Sequence, residues 1–168
     1  MLVVLSDTHR ESGHGLSGPA FDAVRSADRV VHAGDFTAPA VVDALAEEAA
    51  RLDAVHGNAD DPAVRERLPD ARVLDYGGVT VTVTHRRDGG TTGLSLFGRS
   101  RDADLVVSGH THRPTVVGAG DVVLLNPGSH ADPRGNRPAF AELEPTDGGL
   151  RGRLRDVDGT TFERFSVP

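Results

Sequence analysis

Met1-Leu2-Val3-Val4-Leu5-Ser6-Asp7-Thr8-His9 opens the chain with a short, β-branched apolar run that stops abruptly at polar residues. The run has the length of a buried strand, and its end supplies a carboxylate and an imidazole two residues apart. The pattern recurs at Arg29 to Val31 before His32-Ala33-Gly34-Asp35, and at Leu52 to Val55 before His56-Gly57-Asn58. Helices are expected between these strands. Ala40 to Arg51 carries Val41, Ala44, Leu45 and Glu48 at helical spacing, with Thr37 or Pro39 near its start, and Phe21 to Ala27 is a shorter candidate. Strands alternating with helices predict a parallel sheet, whose functional loops gather at the carboxyl ends of the strands.

The second half changes character. Arg72 to Tyr76 and Val79 to Thr84 flank Gly77-Gly78 as a hairpin, and Asp104 to Ser108 is another buried strand. Thr115 to Val117 and Val122 to Leu125 form a second hairpin, and Ala139 to Leu143, Leu150 to Val157 and Thr161 to Val167 close the chain as a meander. Two mixed sheets packed face to face, with helices outside, would bury all of these strands. No repeat or linker is visible, and 168 residues predict one domain, 1–168.

Composition narrows the chemistry. The chain has no cysteine, which excludes disulfides, thiolate zinc sites and cysteine nucleophiles. A net charge of −7 argues against a general nucleic-acid binder and disfavours a nuclease, because counterion release needs concentrated basic residues. No apolar run approaches the roughly 20 residues of a membrane span, and Met1 to Leu5 lacks the basic flank of a signal peptide, so a cytoplasmic protein is expected.

Five segments remain, each directly after an expected strand: Asp7-Thr8-His9, Gly34-Asp35, Gly57-Asn58-Ala59-Asp60, Thr84-His85 and Gly109-His110-Thr111-His112. Together they bring Asp7, His9, Asp35, Asn58, His85, His110 and His112, seven oxygen or nitrogen donors, to one sheet edge. That number suits two metal ions. Divalent cations about 3.5–4 Å apart repel, so a bridging carboxylate is required, and Asp35 is the natural choice. His9 and His112 then share one ion with Asp7, while Asn58, His85 and His110 hold the other. Donors of this mixture favour manganese, iron, zinc, nickel or cobalt over calcium, and manganese is the ion expected.

In this order the segments resemble the calcineurin-like metallophosphoesterase superfamily, written D-x-H, G-D, G-N-x-D, a lone His, then G-H-x-H. The small size, the Gly57-Asn58-Ala59-Asp60 form and Asn126-Pro127-Gly128-Ser129 look most like its compact single-domain prokaryotic phosphodiesterases. The resemblance implies a four-layer αββα sandwich of two mixed sheets between helices, with a two-metal phosphoesterase centre. It further implies a phosphodiesterase in which a hydroxide held between the ions attacks phosphorus, with Asp35, Asn58 and His110 as catalytic residues and a small phosphoester as substrate. A phosphomonoesterase acting on nucleotides or proteins is the enzymatic alternative. A protein-interaction scaffold, as in the retromer subunit of this fold, is the non-enzymatic one, disfavoured because all seven donors are present. A homo-oligomer is compatible with either.

Two positions depart from the family. Ala59 stands where many members have a His that stabilises the phosphoryl group or protonates the leaving alcohol. Thr84-His85-Arg86-Arg87 replaces the compact branch's His-Gly-His, and Arg86 or Arg87, with Arg10, is expected to grip the substrate phosphate. Other polar residues have plainer expectations. Asp60 is as compatible with capping the helix that runs through Leu68 as with supporting a ligand. His32 and His56 are expected to be half-buried and hydrogen-bonded, His14 and His130 to lie in solvent or on the rim, and Arg99 and Arg101 to form a solvated helix face. The Asn126 to Ser129 turn is either a plain turn or a source of backbone donors lining the site.

Overall fold

Along β1 (Leu2–Leu5) the side chains alternate, Leu2 and Val4 to one face and Val3 and Leu5 to the other, and both faces are buried. In the computed structural model, which describes residues 1–168, the first half continues through α1 (Gly18–Ser26), β2 (Arg29–His32), α2 (Pro39–Glu48), β3 (Leu52–Ala54) and α3 (Pro62–Arg67). The second half runs through β4 (Ala71–Tyr76), β5 (Val79–Thr84), α4 (Gly90–Arg99), β6 (Leu105–Val107), β7 (Thr115–Ala119), β8 (Val122–Asn126), β9 (Ala139–Thr146), β10 (Gly149–Asp156) and β11 (Thr161–Val167).

One sheet has six strands in the order β11-β10-β9-β1-β2-β3, the other five in the order β4-β5-β6-β8-β7. Both are mixed: β1 pairs parallel with β2 and antiparallel with β9, and β6 pairs parallel with β5 and β8 while β7 is antiparallel to β8. Leu2, Val4 and Val31 from the first sheet meet Val81, Val83, Leu105, Val107 and Leu125 from the second in one core. Val3, Leu5 and Val30 instead pack under α1 and α2, with Ala20, Val24, Val41 and Leu45, and Val64 of α3 joins them. On the opposite outer face Leu94 and Phe97 of α4 cover Val106, Val122 and Leu124. The result is the expected four-layer α/β sandwich of two mixed sheets between helices.

Element ends shift slightly from expectation. The first helix starts at Gly18, three residues early, because Pro19 fits its first turn, and the second ends at Glu48 rather than Arg51. The sequence points to a helix here only through the solvated face of Arg99 and Arg101, since Gly89-Gly90-Thr91-Thr92-Gly93 is a poor helix former, yet α4 runs from Gly90 to Arg99. Packing decides it: a Cβ on Gly98 would sit 2.5 Å from Val106 Cγ2, so glycine lets the helix lie close on the sheet. Along the open edge of the first sheet, buried Asp53 accepts hydrogen bonds from Arg29 Nε (2.6 Å), Arg51 Nε (3.0 Å) and Arg72 Nη1 (3.3 Å), joining β2 and β3 to β4 of the other sheet.

Candidate metal centre

The loops that leave β1 and β2 hold each other before any side chain is considered. Asp7 N donates to Gly34 O, His9 N to Asp35 O and Arg10 N to Phe36 O, prolonging the strand alignment past the sheet edge. In the second sheet Gly109 N donates to His85 O and Ser108 N to Leu125 O. The backbone bends sharply to aim the side chains inward. Asp7, His9, Asp35, His110 and His112 all have positive φ, between 44° and 73°, a strained conformation for side-chain-bearing residues that clusters at functional sites.

Five of the expected donors converge. Asp7, His9 and His112 offer ligand atoms within 4.8 Å of one another, and so do Asp7, Asp35 and His85. Asp7 belongs to both triads. Asp35 Oδ2 faces imidazoles from two loops, His9 Nε2 at 3.3 Å and His85 Nε2 at 3.2 Å, while Asp7 Oδ1 faces His112 Nε2 at 3.3 Å. The His9 and His112 rings are stacked with centroids 4.9 Å apart. Asn58 and His110 stand at the margin. His110 is exposed and edge-on to His85, with ring centroids 5.3 Å apart, and Asn58 is exposed in a polar hollow that His85 also lines.

The tautomers suit metal ligation. His85 Nδ1 is 2.8 Å from Ala33 O and His112 Nδ1 contacts Asp132 O, so in each ring Nδ1–H donates to a carbonyl and the Nε2 lone pair points into the centre. His85 is 4% exposed, and its Nε2 is buried without a hydrogen-bond partner. A buried lone pair 3.2 Å from a carboxylate oxygen needs a cation or a proton between them. The space is also reserved by glycine: a Cβ at Gly57 would lie 2.1 Å from Asp35 Oδ1, and one at Gly109 would lie 2.0 Å from Ser6 Oγ and 2.7 Å from Asp7 Oδ2. The residues present therefore fit divalent metal.

Without ions, protons take that role. Hydrogen bonding to Asp35 and then to Asp7 raises His9 to about 9. Burial opposes the charged form of His85, but the Asp35 carboxylate overrides it and raises that ring too. Burial likewise opposes ionisation of Asp35, and His85 and His9 nevertheless hold it well below the usual carboxylate range. His110 is lowered, by burial first and then by the charges of His85 and Arg86. Because His9 binds its proton more tightly folded than unfolded, its contribution to stability is complete below about pH 6.5 and is lost as pH rises through about 9. Metal-free protein in a chelator should thus melt at progressively lower temperature across that window. Manganese should remove the decline, since ligation displaces the proton. A melting temperature independent of pH without metal contradicts the His9–Asp35 contact.

Behind the donors lies a supporting set that sequence alone did not separate from ordinary loop residues. Asp60 is buried and does not cap α3. Its Oδ2 accepts from Asp35 N (3.0 Å) and Gly57 N (2.7 Å), and its Oδ1 from Thr37 N (2.7 Å), so one carboxylate sets the loops carrying Asp35 and Asn58. Arg65 steadies the second loop through Asn58 O (2.6 Å) and Asp60 O (2.8 Å). Asn126 Nδ2 donates to Gly109 O (2.7 Å) and Ser129 Oγ to Asp7 O (2.7 Å), so this turn buttresses two ligand loops. Its Gly128 amide is spent on Asn126 Oδ1 and does not line the site. The signal for Asp60 was its place at the end of Gly57-Asn58-Ala59-Asp60; Asn126 carried no comparable signal.

Two expectations need correction. His130 is buried rather than on the rim, its Nε2 meeting His14 O at 3.0 Å, and burial lowers it to about 4. His32 is wholly rather than half buried: its Nδ1 accepts from Gly34 N, which makes Nε2–H the donor to Thr8 Oγ1 at 2.8 Å, and it stacks on Phe36. The three arginines are not equivalent. Two hollows flank His85, the polar one toward Asn58 and a second between α4 and β7, and Arg10, which lies against Gly15, lines neither. Arg87 stacks on Phe97 at 4.1 Å and reaches Asp70 Oδ2 at 3.5 Å, whereas Arg86 is exposed at the edge of both hollows.

A two-sheet sandwich that delivers carboxylates and imidazoles from separate loops to one buried cluster defines a metal-binding α/β protein of the phosphoesterase architecture. A profile described as "Calcineurin-like phosphoesterase superfamily domain" matches residues 1–148, and the chain belongs to that superfamily. A probable metallophosphoesterase of Methanothermobacter thermautotrophicus is 35% identical over 147 residues, 85% of this chain and 84% of that protein. Another, of Methanocaldococcus jannaschii, is 33% identical over 152 residues, 88% of this chain and 77% of that protein. Among solved structures, a conserved predicted phosphoesterase of Streptococcus pneumoniae superposes with a TM-score of 0.75 at 26% identity, covering 98% of this chain and 96% of that one. Vps29 of Entamoeba histolytica, in a complex with zinc, reaches 0.81 at 24% identity and 99% coverage of both chains, a likeness of fold. No helix of the protein is long and apolar enough to cross a membrane.

Proposed function

We propose that the protein is a phosphodiesterase dependent on two divalent transition-metal ions, manganese first among them, acting on a small phosphoester. The observation that carries this reading is the buried, partnerless Nε2 of His85 facing Asp35 within a cluster that also gathers Asp7, His9 and His112. Asp7, His9 and His112 would hold one ion and Asn58, His85 and His110 the other, with Asp35 between them. Bound there, the ions would activate water for attack on phosphorus and neutralise charge growing on the phosphoryl oxygens.

The chain's own residues do the rest. Asp60 and Arg65 fix the loop that presents Asn58, so the phosphate meets an oriented amide. Arg86, with no carboxylate partner among the ion pairs, supplies charge to a phosphate oxygen; Arg87 is held by Phe97 beside it. The position of Ala59 offers no acid, so leaving groups that depart as stable anions suit this site. The scaffold reading would not need this cluster, its strained backbone or its glycine clearances.

Metal analysis of purified protein, followed by assays with manganese on bis(4-nitrophenyl) phosphate and 4-nitrophenyl phosphate, tests the proposal. Faster turnover of the diester, lost in a chelator, is expected. Preference for the monoester would make the protein a phosphomonoesterase, and no turnover of either would favour the scaffold.

A further inference from the structure

Beside the ligand cluster, between α4 and the β7–β8 hairpin, runs a cleft of about 240 Å³ whose apolar walls have no part in the proposed metal chemistry. His85, His110, Arg86 and Arg87 line it on the side of the metal centre, His85 buried and His110 and Arg86 exposed. The walls are different in kind: Leu94 from α4, Val117 from β7, and Leu124 and Leu125 from β8. The hollow on the other side of His85, toward Asn58, has no apolar residue in its lining. The centre therefore opens on two unlike sides, one wholly polar and one with apolar walls.

The apolar wall is a fixed surface. Leu94 and Phe97 pack on Val106, Val122 and Leu124, and Phe97 is covered in turn by the guanidinium groups of Arg87 at 4.1 Å and Arg101 at 3.9 Å. Val117 is 36% exposed, one of the few large apolar side chains left open to water, and it lies on this wall. An apolar surface continuous with a phosphate-binding centre gains from covering by the uncharged part of the same ligand. Size narrows the choice. A dry cavity of about 150 Å³ takes benzene, whereas sites for drug-sized ligands run from about 300 Å³ upward. A space of about 240 Å³ suits a one- or two-ring group.

We propose that this cleft seats one ester arm of the substrate, an uncharged ring-sized apolar or aromatic group, and that Leu94 and Val117 determine the preference for it. The inference rests on the phosphoesterase reading and deepens it by naming the substrate class: a phosphoester with a ring-bearing arm rather than a short alkyl or polyanionic one.

Methylphosphonate, phenylphosphonate and 1-naphthylphosphonate share one anionic head and differ only in the arm. Their dissociation constants, measured by calorimetry on manganese-loaded protein, separate the arm from the head. Phenylphosphonate should bind at least about tenfold more tightly than methylphosphonate, with the naphthyl compound at least as tight as the phenyl. Val117→Asn, which puts an uncharged polar group on the exposed wall, and Thr91→Trp, which fills the cleft from an exposed position on α4, should each shrink the phenyl-to-methyl ratio to within about twofold. Both should leave methylphosphonate affinity unchanged. Three equal constants in the wild type would overturn the inference and leave the metal centre standing, as would a ratio untouched by both variants. Binding of none of the three would overturn the centre and the cleft together.

Discussion

Asp35→Asn is expected to lower turnover of a phosphodiester in manganese by about a thousandfold or more, which corresponds to about 4 kcal/mol of lost transition-state stabilisation. The size follows from what one oxygen does. Asp35 Oδ2 lies 3.3 Å from His9 and 3.2 Å from His85, so it is the acid to which imidazoles of two different loops turn. An amide is nearly the same shape but neutral, and the charge of two neighbouring cations would lose its nearest counterweight. The substitution carries a second signature. With its strongest partner gone, His9 should fall from about 9 toward the ordinary imidazole value, and the melting temperature of metal-free protein should lose most of its dependence between pH 6.5 and 9. Turnover within tenfold of the wild type would contradict the role given to Asp35.

Asp60→Ala should be the most damaging change at a residue that touches no ion. It would strip the acceptor from three backbone N–H groups, those of Asp35, Thr37 and Gly57, in buried or half-buried surroundings. Hydrogen bonds to a charged acceptor contribute about 1.5–3 kcal/mol each, and leaving such donors unsatisfied costs more than losing the bond. A loss of about 3–5 kcal/mol, or roughly 10 °C in melting temperature for a chain of this size, is expected. Manganese affinity should weaken by about 10- to 100-fold, the usual effect of removing a residue that orients ligands. Asp60→Asn keeps one acceptor oxygen and should fall between the two. A thermal shift under 2 °C with unchanged affinity would show that the Asp60 contacts contribute little.

The loops of the candidate centre were legible because each one follows a strand with an apolar signature. Leu2 to Leu5 must be buried on both faces, which places Asp7 and His9 at a strand end, and the same logic places Asp35 and His85. What the pattern could not reveal depends on contacts distant in sequence. Asp60 accepts from an amide 25 residues away, and nothing local distinguishes that role from capping the next helix. His130 follows a Pro-Gly turn that reads as surface, yet it packs beneath the segment containing His14. Helix α4 opens with glycines and threonines because its stability comes from Leu94 and Phe97 against the sheet, not from its own propensity. Arg86 and Arg87 are adjacent in sequence and look interchangeable; only Phe97 and Asp70 tell them apart.

A crystal soaked in manganese and measured for anomalous scattering addresses the dinuclear centre directly. The account predicts two peaks within ligand distance of Asp7, His9, Asp35, His85 and His112, with Asp35 touching both. A single peak, or none inside this cluster at saturating manganese, would contradict it.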